Sequence, residues 1–114
     1  MIVMQQAKEA KYAGYYNVGP DDCDCVSTGE LADLFVKHWG ESAVWKNVAE
    51  ANAPHEAGFL KLDCAKLKKR FGWAPIWHVD RAVGETVRWY QAWADGKDLT
   101  AVTEEQIRLF LAVK

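Results

Sequence analysis

What this chain lacks narrows it before anything it contains. No Gly-rich fingerprint of the kind that cradles a dinucleotide pyrophosphate follows a strand pattern anywhere in the 114 residues, so a dinucleotide has no such seat here. Cysteine is scarce: three residues, an odd number without the paired spacing of a disulfide framework. That excludes a stapled secreted scaffold and reads as reduced thiols in a cytosolic protein. The apolar start at Met1-Ile2-Val3-Met4 is too short for a signal peptide or a membrane span, so a soluble, cytoplasmic chain with no membrane partner is expected. Basic charge is not in excess, with a formal net charge of −2, which argues against nucleic acid as a partner. The cluster Lys66, Lys68, Lys69 and Arg70 reads as a solvated helix face. There is no internal repeat and no low-complexity segment.

What is present suits one domain: half of the residues are hydrophobic, and six are tryptophan. So many indoles in a short chain imply either an aromatic-rich interior or a surface that meets another domain. Residues 1–11 hold good helix formers and read as the tail of a helix begun earlier in a longer protein. Tyr15-Tyr16-Asn17-Val18 reads as a short strand, followed by a turn at Gly19-Pro20-Asp21-Asp22. Ser27-x-x-Glu30 forms a capping box for a helix over Thr28 to Trp39, with Leu31, Leu34, Phe35 and His38 on one face, ended by Gly40. Residues 43–48 suit a second strand and 49–56 a polar loop.

The alternation around Leu60 and Leu62 predicts a third strand leading into a helix that Asp63 caps, with Leu67 and Phe71 as its stripe and Gly72 as its stop. Asp80 is the expected cap of a helix to Ala94 that buries Val83, Val87, Tyr90 and Ala94 or their neighbours Trp89 and Trp93. Thr103-x-x-Gln106 is the expected cap of a last short helix carrying Ile107, Phe110 and Leu111. Three short strands with four or five helices make an α/β arrangement with an incomplete sheet. Exposed sheet edges predict self-association as a homo-oligomer.

Few side chains offer chemistry. Cys23 and Cys25, set among Asp21, Asp22 and Asp24, lack the convergent ligand spacing of a zinc site and read as half-buried thiols in a turn, so no metal is expected. A reactive thiolate at Cys25 is disfavoured by its acidic neighbours. His55 and Glu56, in a loop before a strand, suit a cleft: imidazole donates to phosphate, and a carboxylate accepts from ribose hydroxyls. The residues fit equally a loop that bonds its own backbone. His38 reads as a partner of its helix dipole and His78 as a residue before a cap. The tryptophans read as core, with Trp45 and Trp77, outside the expected helices, left open between core and stacking on a ligand.

Asp63-x-x-Lys66 followed by Phe71-Gly72-Trp73-x-Pro75 resembles the closing signature of extended short-chain dehydrogenase/reductases that act on nucleotide sugars. Tyr16-Asn17-Val18-Gly19 resembles a late strand and turn of that superfamily. Residues Gly19 to Val26, Pro54 to Ala57 and Leu60 to Cys64 together are similar to the CDP-glucose 4,6-dehydratase family, and the likeness runs from about Lys11 to the last residue. The resemblance implies the carboxy-terminal, CDP-sugar-binding part of a longer enzyme, with NAD and the Tyr-x-x-x-Lys machinery in a preceding domain absent from this chain. The whole enzyme would convert CDP-glucose to a CDP-4-keto-6-deoxy sugar, for cell-surface polysaccharide such as O-antigen. It further implies Glu56 near the ribose. The family usually places an arginine three residues before it, against the diphosphate; here that position is Ala53, and His55 or Lys61 would substitute. No catalytic residue is expected within the chain. Another nucleotide-sugar epimerase or dehydratase would share these motifs, and a free-standing interaction module would share the aromatic surface.

Overall fold

Ser27 and Glu30 close the reciprocal cap that their spacing predicts. Ser27 Oγ accepts from the Glu30 amide at 3.3 Å, and Glu30 Oε2 accepts from the Ser27 amide at 2.7 Å. The computed structural model describes residues 2–40, 42–48 and 61–113. Five helices run through them: α1 Ile2–Lys8, α2 Thr28–Trp39, α3 Ala65–Phe71, α4 Val79–Ala94 and α5 Leu99–Ala112, with single 3₁₀ turns at Ala10–Tyr12 and Asp22–Asp24.

The expected α/β class is corrected by this element order, because the described residues hold helices and turns and no strand. Residues 15–18, 43–48 and 61–62 follow irregular paths, and the start of the third expected strand, Phe59-Leu60, lies outside the described residues. The reason is that alternation marks a face to be covered, whereas a strand exists only when a neighbour returns its N–H and C=O bonds. Here side chains bond the backbone in and beside these segments instead. Tyr15 O accepts from Lys66 Nζ at 3.0 Å, and Asp63 O accepts from Asn17 Nδ2 at 3.2 Å.

Helix starts differ from the expectation at three places. Asp63 does supply a carboxylate to α3, through the Ala65 amide at 2.8 Å, but from one residue before the cap position, which is Cys64. The cap position of α4 is His78 and not Asp80; Asp80 instead pairs with Lys37 at 2.8 Å and approaches His38 Nε2 at 3.3 Å. The last helix begins a full turn earlier than Thr103, where Asp98 accepts from the Thr100 and Ala101 amides at 2.9 and 3.3 Å. Thr103 instead donates to Leu99 O at 2.8 Å and accepts from Trp89 Nε1 at 3.1 Å. Gly72 ends α3 in the left-handed region, at φ 59°, as its position predicts.

Helix α4 lies between α2 and α5. The α2 contact depends on Gly84, since a Cβ there would meet the His38 ring at 3.0 to 3.1 Å. Gln91 Nε2 adds a bond to Trp39 O, the last residue of α2, at 2.9 Å. Toward α5, Gln106 Nε2 donates to Glu85 O at 2.6 Å and Arg88 pairs with Glu105. Trp77, expected outside any helix, meets Phe110 edge-on at 5.2 Å.

The buried apolar set is small: Cys64, Leu67, Val83, Val87 and Ala92. Tyr90 and Trp93, offered above as buried, are 46% and 63% exposed, because the tight α2–α4 seam uses the Val83 and Val87 side of α4. Phe35, Trp39, Val44, Trp45, Tyr90 and Trp93 line an apolar groove of about 630 Å³. The radius of gyration is 17.7 Å, against about 13 Å for a compact chain of roughly 100 residues. None of the helices is long and apolar enough to cross a membrane, among the described residues.

Candidate functional site

The turn after Pro20 and the stretch that enters α3 lie against one another, joined by charge. Asp24 and Cys25 amides close the 3₁₀ turn on Asp21 O and Asp22 O at 2.9 and 3.3 Å. Asp22 meets Lys61, and Asp21 meets Lys68 on α3. Pairing with Asp22 raises the Lys61 ammonium above its ordinary pKa and, through Lys61, holds the Asp22 carboxyl below its own. Asp21 raises Lys68 in the same way. Both lysines are therefore firmly cationic. They flank a cleft of about 410 Å³ whose walls also include Pro20, Leu62, Asp63 and Cys64.

A second contact joins the same turn to α4. Asp24 is buried at 7% exposure, and its two oxygens are divided between the Val79 amide at 3.0 Å and His78 Nδ1 at 2.8 Å. The Val79 amide, then His78, hold the Asp24 carboxyl below the ordinary range; Asp24 in turn raises His78. Asp24 thus serves α4 as an N-terminal acceptor delivered from 55 residues away.

Of the residues singled out from sequence, His55, Glu56 and the family-pattern position Ala53 lie outside the described residues. Lys61 lies in the cleft, but its charge is engaged by Asp22. All three cysteines are free thiols. They point to different partners: Cys23 Sγ to Asp24 Oδ2 at 3.8 Å, Cys25 Sγ to Asp21 O at 3.5 Å, and Cys64 Sγ to Leu62 O at 3.6 Å. Lys68, assigned to a solvated face, is brought beside Lys61. The basic cluster did contain its signal, since one member of a helix turn must face the element the helix lies on. His78 and Asp24 had no such signal, because no local spacing couples them. Trp45 Nε1 donates to Asp33 Oδ1 at 2.8 Å.

A dinucleotide does not fit the entry to α3. The Asp63 carboxylate already takes the Ala65 amide, placing negative charge where a pyrophosphate would need a free donor.

No protein-family model matches the chain. It is 36% identical over 103 residues to the CDP-glucose 4,6-dehydratase of Salmonella typhimurium, a match covering 90% of this chain and 28% of that protein. The chain therefore spans less than a third of the length of this relative, and the resemblance read from the motifs is borne out.

Proposed function

We propose that this chain forms the sugar-nucleotide-facing part of an NAD-dependent CDP-glucose 4,6-dehydratase. The observation that carries the reading is the 36% identity sustained over 90% of the chain. The whole enzyme would oxidise the glucose C4 hydroxyl by hydride transfer to NAD, eliminate water across C5 and C6, and return the hydride to C6, leaving CDP-4-keto-6-deoxyglucose. Redox and elimination lie outside what these residues can do, so the contribution derived for this chain is binding.

Lys61 and Lys68 are the cations nearest to hand for the diphosphate. An ammonium paired with a surface carboxylate gains little from that pairing, so an incoming diphosphate with two negative charges competes for it well. His55 would add a donor and Glu56 would accept from the ribose, as the likeness implies. With Ala53 in place of the family's arginine, Lys61 and Lys68 take over its charge.

Titration of the purified chain with CDP-glucose, followed by backbone amide shifts, tests this reading. Saturable shifts around Lys61, Lys68 and residues 53–56 are expected, weakened at least fivefold in Lys61→Ala/Lys68→Ala and weaker for UDP-glucose. The chain with CDP-glucose and NAD should show no turnover. Equal response to both sugar nucleotides would defeat the CDP assignment; no saturable response, or unaided turnover, would defeat the division of labour.

A further inference from the structure

Among the described residues, one cluster brings three different metal-ligating side chains together: Cys23, Asp24 and His78, with one donor atom of each lying within 4.8 Å of the others. We propose that this cluster is a zinc(II) site with Cys23 Sγ, Asp24 Oδ2 and His78 Nδ1 as protein ligands and a fourth position open to solvent. It is independent of the sugar-nucleotide reading, and the Cys-x-Cys spacing that suggested and then excluded a metal in the sequence is not its basis. The third ligand comes from the start of α4, which no spacing within the turn reveals.

The donor separations are close to what the ion requires. Tetrahedral zinc with bonds of about 2.0–2.3 Å sets its ligand atoms about 3.3 Å apart for nitrogen and oxygen and about 3.6 Å for sulfur and oxygen. Here Cys23 Sγ lies 3.8 Å and His78 Nδ1 2.8 Å from Asp24 Oδ2. Both separations to Asp24 Oδ2 are within about half an ångström of these values, and all three donors lie within 4.8 Å of one another, a spread that side-chain rotation can close onto one ion.

Asp24 is fixed in place by the Val79 amide on its other oxygen, at 3.0 Å, so one ligand is preorganised. The others are open to solvent, since Cys23 is exposed and the His78 side chain is 70% exposed, and an ion can arrive without any opening of the fold. Charge also fits. Asp21 and Asp22 are taken by Lys68 and Lys61, whereas Asp24 has His78 as its ion-pair partner. On binding, the Cys23 thiol and the His78 Nδ1–H that faces Asp24 each release a proton to solvent, leaving thiolate, carboxylate and neutral imidazole around the dication. The positive end of α4 then faces no net added charge. A thiolate, an imidazole and a carboxylate together suit zinc better than magnesium or calcium, which take oxygen donors.

Cobalt(II) reports directly on such a site. Chain stripped with chelator and titrated with cobalt should bind one ion, with visible bands of four-coordination and a near-ultraviolet thiolate-to-cobalt band, all displaced by zinc. Cys23→Ser should abolish the near-ultraviolet band and weaken binding at least tenfold. Cys25→Ser, whose sulfur points to Asp21 O, should leave both unchanged. His78→Ala should weaken binding at least tenfold, with circular dichroism to check folding. Should that variant unfold, Cys23→Ser decides alone, because an exposed thiol bears little on the fold. Absence of saturable one-to-one binding, or a thiolate band that survives Cys23→Ser, overturns the proposal.

Discussion

The two halves of this molecule are held by different means. In one, α4 meets α2 and α5 through a glycine seam, buried valines and bonds between neighbouring helices. In the other, residues 15–24 are tied to residues 61–79 by Asn17 to Asp63, Lys68 to Asp21 and Asp24 to His78, contacts 46, 47 and 54 residues apart. The apolar anchor of this second half is slight, chiefly Leu67 at 1% exposure with Cys64 beside it. The contrast teaches that helices here are locally specified, while the face that carries the candidate site exists only once distant segments meet. It also places the candidate ligands on the half with less apolar burial, where local opening is easiest.

The sharpest way to break the comparison is Leu67→Ala. It should cost about 2–5 kcal/mol in urea unfolding, and hydrogen exchange should show protection lost first in α3 while α4 keeps its own. Val87→Ala should reverse that order. Loss of protection in both halves together, in either variant, would show that they form one cooperative unit.

Gly84→Val comes next. It forces methyl groups onto the His38 ring, where even a Cβ is crowded, and should cost about 1–3 kcal/mol by overpacking. A variant as stable as the parent would mean that α2 can shift away from α4 freely.

Two helix-terminal carboxylates compare the halves more finely. Asp24→Ala leaves the part-buried Val79 amide without its acceptor and should cost about 1–3 kcal/mol, whereas exposed Asp98→Ala should cost about 0.5–2 kcal/mol. Thermal unfolding of the two variants gives the order, and a larger loss for Asp98 would reverse the weight assigned to the long-range contact.

The smallest effect is one of pH. The Ser27 amide, then its hydroxyl, hold the Glu30 carboxyl below its ordinary value of 4.5. Its folded value being depressed, its contribution is complete above 4.5 and fades as pH falls from there through the lowered value. The difference in unfolding midpoint between parent and Glu30→Gln should shrink over that interval. A constant difference would place the stabilisation in the neutral bonds of the cap.

Much of the helical half was readable beforehand. The Ser27 box, the Gly40 and Gly72 stops and the Leu67 position follow from contacts within one helical turn, so the chain states them locally. Cap positions at Asp80 and Thr103 were misjudged for the same reason in reverse: each side chain had a tertiary partner, Lys37 for one and Trp89 for the other, that outcompeted the local bond. The apolar face of α5 was also overestimated, since Ile107 and Leu111 are 53% and 70% exposed, and polar contacts of Thr103 and Gln106 help to join α5 to α4. The sheet edges from which self-association was expected do not occur among the described residues, and sedimentation at rising concentration tests that expectation against the exposed aromatics of α2 and α4.

By itself the order of residues determined where most helices begin and end to within a turn, that the thiols stay unpaired, and which enzyme family the chain resembles, because capping, periodicity and motif spacing are short-range properties. Only the tertiary structure decided that the described parts of the alternating segments stay out of a sheet, that Lys68 joins Lys61 across one cleft, and that His78 finds Asp24 and Cys23. Those outcomes depend on which groups satisfy a backbone donor or a buried carboxylate at long range, and that competition is settled in space.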